Sequence, residues 1–186
     1  NIVAFYGNYV ESNAPSGSEA DGGAIFNYNG SIITNITGDF INNYTEAQSG
    51  KAYGGAIHNS SSKIYNIEGD FENNRTSTSG HAYAGAISNY QGEIGNFGTT
   101  TNTGGIKGNF KSNSATSNGG NAQGGAIFSY ITGAKINNIE GNFENNFVKA
   151  EGESGGYAYG GAIYNDTATI GDIENNIGGI TGKFSG

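Results

Sequence analysis

The sequence predicts an all-β fold, a parallel β-helix or solenoid of about five coils, carried by residues 1–186 as a single repeat segment. Three observations lead there. A nine-residue phrase returns five times, as EADGGAIFN, KAYGGAIHN, HAYAGAISN, NAQGGAIFS and YAYGGAIYN from Glu19, Lys51, His81, Asn121 and Tyr157. A second phrase, I-x-G-x-F-x-x-N, alternates with it from Ile36, Ile67, Ile106 and Ile139, with a truncated ITGKF from Ile180. The chain also holds 34 Gly and one Pro in 186 residues, so turns recur too often for long elements. One coil per repeat of about 30–40 residues follows, because such units bury their apolar face only against a neighbour.

The chain opens at Asn1 with FYGN, from Phe5, as if on the tail of a second phrase, and closes just after the Phe of another. It therefore reads as a piece of a longer array. Helix is disfavoured throughout, since no stretch places apolar residues at i, i+3, i+4 and i+7, and glycine costs ~1 kcal/mol at each helical position. In the second phrase Ile36, Gly38 and Phe40 share parity, as do Ile67, Gly69 and Phe71, Ile106, Gly108 and Phe110, and Ile139, Gly141 and Phe143. A period of two puts Ile and Phe on one buried face of a short strand.

Ile33, Ile64, Ile136 and Ile177 stand three residues before the first Ile in four units, an offset that asks for a corner. The first phrase supplies a third strand centred on Ile25, Ile57, Ile87, Ile127 and Ile163, its Gly-Gly giving the freedom for a turn. Three strands and three corners per coil result, with equivalent residues stacked ~4.8 Å apart. The Asn that closes each phrase (Asn27, Asn59, Asn89, Asn165; Asn8, Asn43, Asn74, Asn113, Asn146) suits a corner, tolerating left-handed backbone and laddering through its amide. Ala24 has opposite parity to Ile25 and is expected on an outer face, covered by the segment that joins the phrases. Those joining segments, from Tyr44, Arg75, Ser114 and Phe147, vary between units, as do insertions from Gly92 and Thr169. They read as loops on a constant scaffold, where specific surface is usually found.

Alternating GGAI and FxxN phrases resemble those of chlamydial polymorphic outer-membrane proteins and the wider group of autotransporter-like bacterial surface proteins. The likeness covers nearly the whole chain. It implies that the parallel β-helix is right-handed, that the protein is exported to the cell surface, and that it serves in adhesion. AGAI from Ala84 and Ser129 in place of Asn depart from the pattern, and this segment contains no membrane barrel.

Chemistry is sparse. A formal charge of −8 with eight Lys and Arg leaves no cationic surface for nucleic acid or anionic membrane. No apolar run reaches the roughly 18 residues of a membrane span, so no membrane insertion by this segment is expected. Cysteine is absent, which excludes disulfides and thiolate sites. Pectin-cleaving enzymes share the architecture and use clustered Asp, yet Asp39 and Asp70 have Asn109, Asn142 and Lys183 as their next equivalents. They read as a surface ladder, and the chain as no enzyme. His58 and His81 occupy different repeat positions and are expected in solvent, with no metal pair. No phosphate loop and no GGxGxD calcium repeat occur, so no cofactor is implied. Six N-x-S/T triplets, from Asn29, Asn35, Asn43, Asn59, Asn74 and Asn165, are about what chance gives in so Asn-rich a chain.

Tyr53, Tyr83 and Tyr159 precede the glycines in three units and are the candidate interaction residues. A tyrosine beside a loop could stack on a sugar; packing against a covering loop is the plainer alternative. Two functions follow as expectations. The first is a non-catalytic extracellular or cell-surface stalk presenting variable loops to a receptor or glycan. The second is a structural subunit that self-associates end to end into a filament, since β-helix ends expose unpaired strand edges.

Overall fold

The computed structural model describes residues 3–97, 103–152, 156–171 and 178–186, and it is a parallel β-helix without helices among them. No helix is therefore long and apolar enough to cross a membrane. Each coil has five short strands rather than the expected three. Following the chain, the first sheet stacks Ala4–Tyr6, Asp39–Ile41, Phe71–Glu72, Phe110–Lys111, Phe143–Glu144 and Phe184–Ser185. The second stacks Tyr9–Ser12, Tyr44–Ala47, Arg75–Thr78, Ser114–Ser117 and Phe147–Ala150. The third stacks Ser18–Asp21, Gly50–Tyr53, His81–Tyr83, Ala122–Gln123 and Ala158–Tyr159, and the fourth Ile25–Tyr28, Ile57–Ser60, Ile87–Tyr90, Ile127–Tyr130 and Ile163–Asp166. The fifth begins with Ile32–Thr37 and Lys63–Glu68 and is interrupted in later coils, where Ile94 and Ile106, Ile136 and Ile139, and Ile170 and Ile180 continue it. Every pairing between sheet strands is parallel.

The joining segments expected to be loops are the second and third sheets. Their inward residues are small, which explains why periodicity hid them: Thr45, Thr76 and Ala115 oppose Ala52, Ala82 and Ala122 in a thin lobe. Alternating small and polar residues carry no strong hydrophobic period. Within these segments only the turns at the lobe tip vary freely in length. The first, fourth and fifth sheets enclose the main core, where Phe40, Phe71, Phe110 and Phe143 and the inner rungs of the Ile ladders are buried. Phe5, Phe40, Phe71, Phe110, Phe143 and Phe184 form one column, neighbouring rings 4.5 to 4.8 Å apart and at most 5° from parallel. Near-parallel rings at this centroid spacing fit the offset stacking that aromatic pairs prefer, and the in-register backbone repeats it from coil to coil.

Three corners per coil do use left-handed backbone. Asn42, Asn73, Ser112 and Asn145 turn the first sheet into the second, and Gly22, Gly54, Ala84, Gly124 and Gly160 turn the third into the fourth. Asn29, Ser61, Gln91, Ile131 and Thr167 turn the fourth into the fifth. The closing Asn is thus not the left-handed residue. Its neighbour bends the chain, and Asn43, Asn74 and Asn113 point inward instead. Each accepts, on Oδ1, both the backbone N–H and the Nδ2–H of the preceding ladder Asn, as where Asn43 donates twice to Asn74 at 3.0 and 2.9 Å. Its own Nδ2 reaches the next rung and a Phe carbonyl, that of Phe40 for Asn74 at 2.8 Å. The buried amide is saturated.

The alanine of GGAI is also inside, contrary to its parity. The amides of Ala56 and Ile57 both donate to the carbonyl of Ala86, at 3.0 and 2.9 Å, and the same pairing recurs for Ala86 and Ile87 on Ala126. Two successive amides sharing one acceptor mean the chain bends between them, so both side chains enter the core. The second glycine of the pair closes the waist between core and lobe: a Cβ on Gly55 would strike the backbone of Arg75 and Gly85.

In the third coil Ile94, not Thr103, continues the outer Ile ladder, and Thr103 bridges Asn96 instead. Residues 95–104 and 171–178 are insertions at the position held by Tyr65 in the second coil. They leave the coil on the fifth sheet, across the core from the lobe. Ile177 and part of each insertion lie outside the described residues.

Candidate functional site

Residues on the outer faces of the third and fourth sheets touch one another, so these sheets meet at a re-entrant angle. Alternation aims Asp21, Tyr53, Tyr83, Gln123 and Tyr159 outward from the third, and Phe26, His58, Ser88, Phe128 and Tyr164 outward from the fourth. A single aromatic stack threads between the two columns. It runs Phe26, His58, Tyr53, Tyr83, Phe128, Tyr164, Tyr159, with successive centroids 5.1, 4.7, 4.7, 4.8, 5.8 and 5.7 Å apart. Where Ser88 leaves out a ring in one column, Tyr83 fills from the other; where Gln123 does so, Phe128 fills.

All three candidate tyrosines lie in this seam, but not against a covering loop. Tyr53 is only 8% exposed and Tyr83 half-buried, whereas Tyr159, on the last rung, is 39% exposed. The stacking decides what they can bind. Tyr53 has His58 stacked on one side and Tyr83 on the other, and Tyr83 meets Phe128 at a tilt of 39°, so ring-on-ring packing takes up much of these faces along the middle of the seam. Burial, then the neighbouring Tyr130, pushes the Tyr83 phenol up to about 12. Burial raises Tyr53 further still, with Tyr83 and Glu19 adding to it. Tyr164 is pushed up to about 12 by burial and by the hydrogen bond its hydroxyl donates to Asp166, at 3.0 Å.

His58 is not in solvent. It is 5% exposed, sandwiched between Phe26 and Tyr53, with Nδ1 2.9 Å from Asp21 Oδ1 of the preceding coil. Ser88 is its register partner one coil on. Asp, His and Ser on successive rungs are the residue types of a nucleophile relay, and repeat alignment of the five GGAI phrases would have brought His58 and Ser88 together. The geometry does not complete one: His58 Nε2 and Ser88 Oγ are both buried and make no hydrogen bond among the described residues. His81 is half-buried, its Nδ1 accepting the N–H of Asn121 at 3.0 Å.

Asp39 and Asp70 stand on the first sheet beside the bend at Gly38 and Gly69. Asp70 donates its N–H to Asp39 Oδ1 at 2.9 Å, and Asn109 donates its N–H to Asp70 Oδ1 at 2.7 Å. Asn142 and Lys183 continue the pattern. These carboxylates act as acceptors in an outer backbone ladder. No three His, Asp or Glu side chains converge as metal ligands among the described residues. Of the six N-x-S/T triplets, Asn43, Asn59 and Asn74 are buried in the Asn ladders, while Asn29, Asn35 and Asn165 are exposed.

Charge alternates along the stack. Lys63, Glu93 and Lys135 are register partners on the fifth sheet, as are Glu68, Lys107 and Glu140, and Glu72, Lys111 and Glu144 on the first. Lys63 Nζ lies 2.8 Å from Glu93 Oε2. The chain matches no family model, no curated protein and no solved structure.

Proposed function

We propose that this chain is a non-catalytic repeat spacer of an exported, autotransporter-like bacterial surface protein, of the kind the chlamydial polymorphic outer-membrane proteins represent, presenting variable turns to a receptor or glycan. One observation carries the reading. Ladder positions repeat from coil to coil, while length and sequence vary at two places, the lobe-tip turns (48–49, 79–80, 118–121 and the one that begins at 151) and the fifth-sheet insertions. Such a division is what a stiff scaffold with displayed segments has. The aromatic seam belongs to the scaffold side of that division. The test is transplantation: the purified segment is assayed for binding to host-cell or glycan surfaces before and after residues 118–121 are replaced by Ser-Gly from the third coil. Loss of binding with an unchanged circular dichroism spectrum supports the reading, and a segment that binds nothing, or binds equally after the lobe-tip turns and the fifth-sheet insertions have both been replaced, sinks it.

A second reading, end-to-end self-association, is favoured by where the large exposed apolar residues fall. Val3, Tyr6, Tyr9, Phe26, Tyr28 and Ile32 lie on the first rungs, and Phe147, Tyr157, Tyr159, Ile180 and Phe184 on the last. Another coil would cover them, whether it comes from the same protein or from a second copy. Sedimentation across a wide concentration range checks this: growing species support a filament, a constant monomer removes it.

A further inference from the structure

The sequence contains two Asn-Gly pairs, Asn29-Gly30 and Asn118-Gly119, and both are exposed or nearly so. This linkage can cyclise, because the glycine has no side chain to hinder attack by its backbone nitrogen on the preceding carboxamide. The fold treats the two differently. Asn29 is held in left-handed backbone (φ 59°), and the Gly30 N–H is committed to the inter-coil ladder, donating to Ser61 O at 2.9 Å. Asn118 has no such φ, its side chain makes no hydrogen bond among the described residues, and the Gly119 N–H reaches only Ser117 Oγ within its own turn, at 3.3 Å. Gly120 competes for that same hydroxyl at 2.8 Å, and Ser117 Oγ in turn donates to Gly80 O. The nucleophile at residue 119 is thus the less restrained of the two.

We propose that Asn118 is a site of spontaneous succinimide formation and deamidation in the folded protein, and that the turn at Asn29 protects its own Asn-Gly pair. The Gly119 nitrogen loses its proton and bonds to Asn118 Cγ; the Cγ–Nδ2 bond breaks and ammonia leaves with that proton. Water then opens the ring at either carbonyl, giving Asp or isoaspartate, so that amide and water become carboxylate and ammonium. The product places a negative charge on a lobe-tip turn one rung from Glu151, whose N–H is bonded to Ser117 O at 2.7 Å. The isoaspartyl form also adds a backbone atom between the second and third sheets. The inference stands apart from the proposed function, since it needs no receptor.

The experiment is incubation of the native segment at mildly alkaline pH, followed by peptide mapping with fragmentation that separates Asp from isoaspartate. Conversion at residue 118 severalfold faster than at residue 29 is expected, with the two rates drawing together in concentrated urea, and with Asn118→Gln abolishing the faster product. Equal native rates, faster reaction at Asn29, or no conversion at Asn118 in the native state would each overturn the proposal.

Discussion

Ala84 sits where four other coils place glycine, in left-handed backbone at φ 61°. An L-residue there carries roughly 1 kcal/mol of strain relative to glycine. Ala84→Gly is therefore expected to raise stability by about 1 kcal/mol in urea titration, an uncommon gain from adding glycine. Gly55→Ala, one position later in the neighbouring coil, should do the opposite and cost several kcal/mol, because its Cβ meets backbone and not a movable side chain. Phe71→Ala removes the middle of the Phe column and is expected to cost ~3–5 kcal/mol. Its neighbour Glu72 faces outward, with only a 3.9 Å exposed pairing to Lys111, and truncation there should shift stability by less than ~1 kcal/mol. Equal effects at 71 and 72 would contradict the burial described. Tyr83 supplies a pH test. Its folded pKa of about 12 lies above the ordinary 10.0, so its contribution is complete below the ordinary value and is lost as pH rises through 12. An alkaline spectrophotometric titration should show a late phenol component that Tyr83→Phe reduces. At this scale the sequence was readable where a residue's neighbours are its own repeats, as for Phe71. It was opaque for His58, whose burial depends on Phe26, Tyr53 and Asp21 arriving from two different phrases.

The Asn column shows what the repeating element gains from saturation. Asn74→Ala would leave the Asn43 N–H and one Nδ2–H without their acceptor and take the side-chain amide donor away from the Phe40 carbonyl and from Asn113 Oδ1, which keeps only the backbone N–H of residue 74, inside the core. Buried unpaired groups cost ~1–3 kcal/mol each, so this change should rival loss of a phenylalanine, whereas Asn66→Ala, which breaks one exposed amide contact to Asn35, should be nearly silent. Comparative unfolding of the two variants settles it. The five strands per coil were only partly legible for a related reason. Ile and Phe announce the sheets around the main core, but the lobe is lined by Ala, Thr and Gly, residues that look like loop. Their packing is set by how closely two backbones approach, which no hydrophobic period records.

Across the whole molecule, alternation of charge from coil to coil ties each rung to its immediate neighbours. Deleting residues 71–109 would join the second coil to the fourth and keep every Phe, Ile and Asn column in place. It would also set Lys63 beside Lys135 and Glu68 beside Glu140, like charges where opposite ones now face. The shortened protein is expected to fold with added salt stabilising it, while salt should slightly destabilise the parent, since screening weakens whichever sign of interaction prevails. The same salt response in both would show that the alternation has no energetic role. Solenoid architecture was the most legible level, because it follows from periodicity alone; the five-sheet cross-section was not, because it depends on bends placed by single left-handed residues.

Coil length carries a mechanical consequence. Successive rungs are joined by bonds spanning 35, 31, 39, 33 and 41 residues. A tether pulled from its two ends would peel one turn of the spool at a time, each release paying out roughly 100–150 Å of slack at about 3.3–3.6 Å per residue. The uneven turns make those steps distinguishable in length, so a force trace would carry a signature of which turn had come away, and a strained thread of this kind would lengthen in increments instead of snapping.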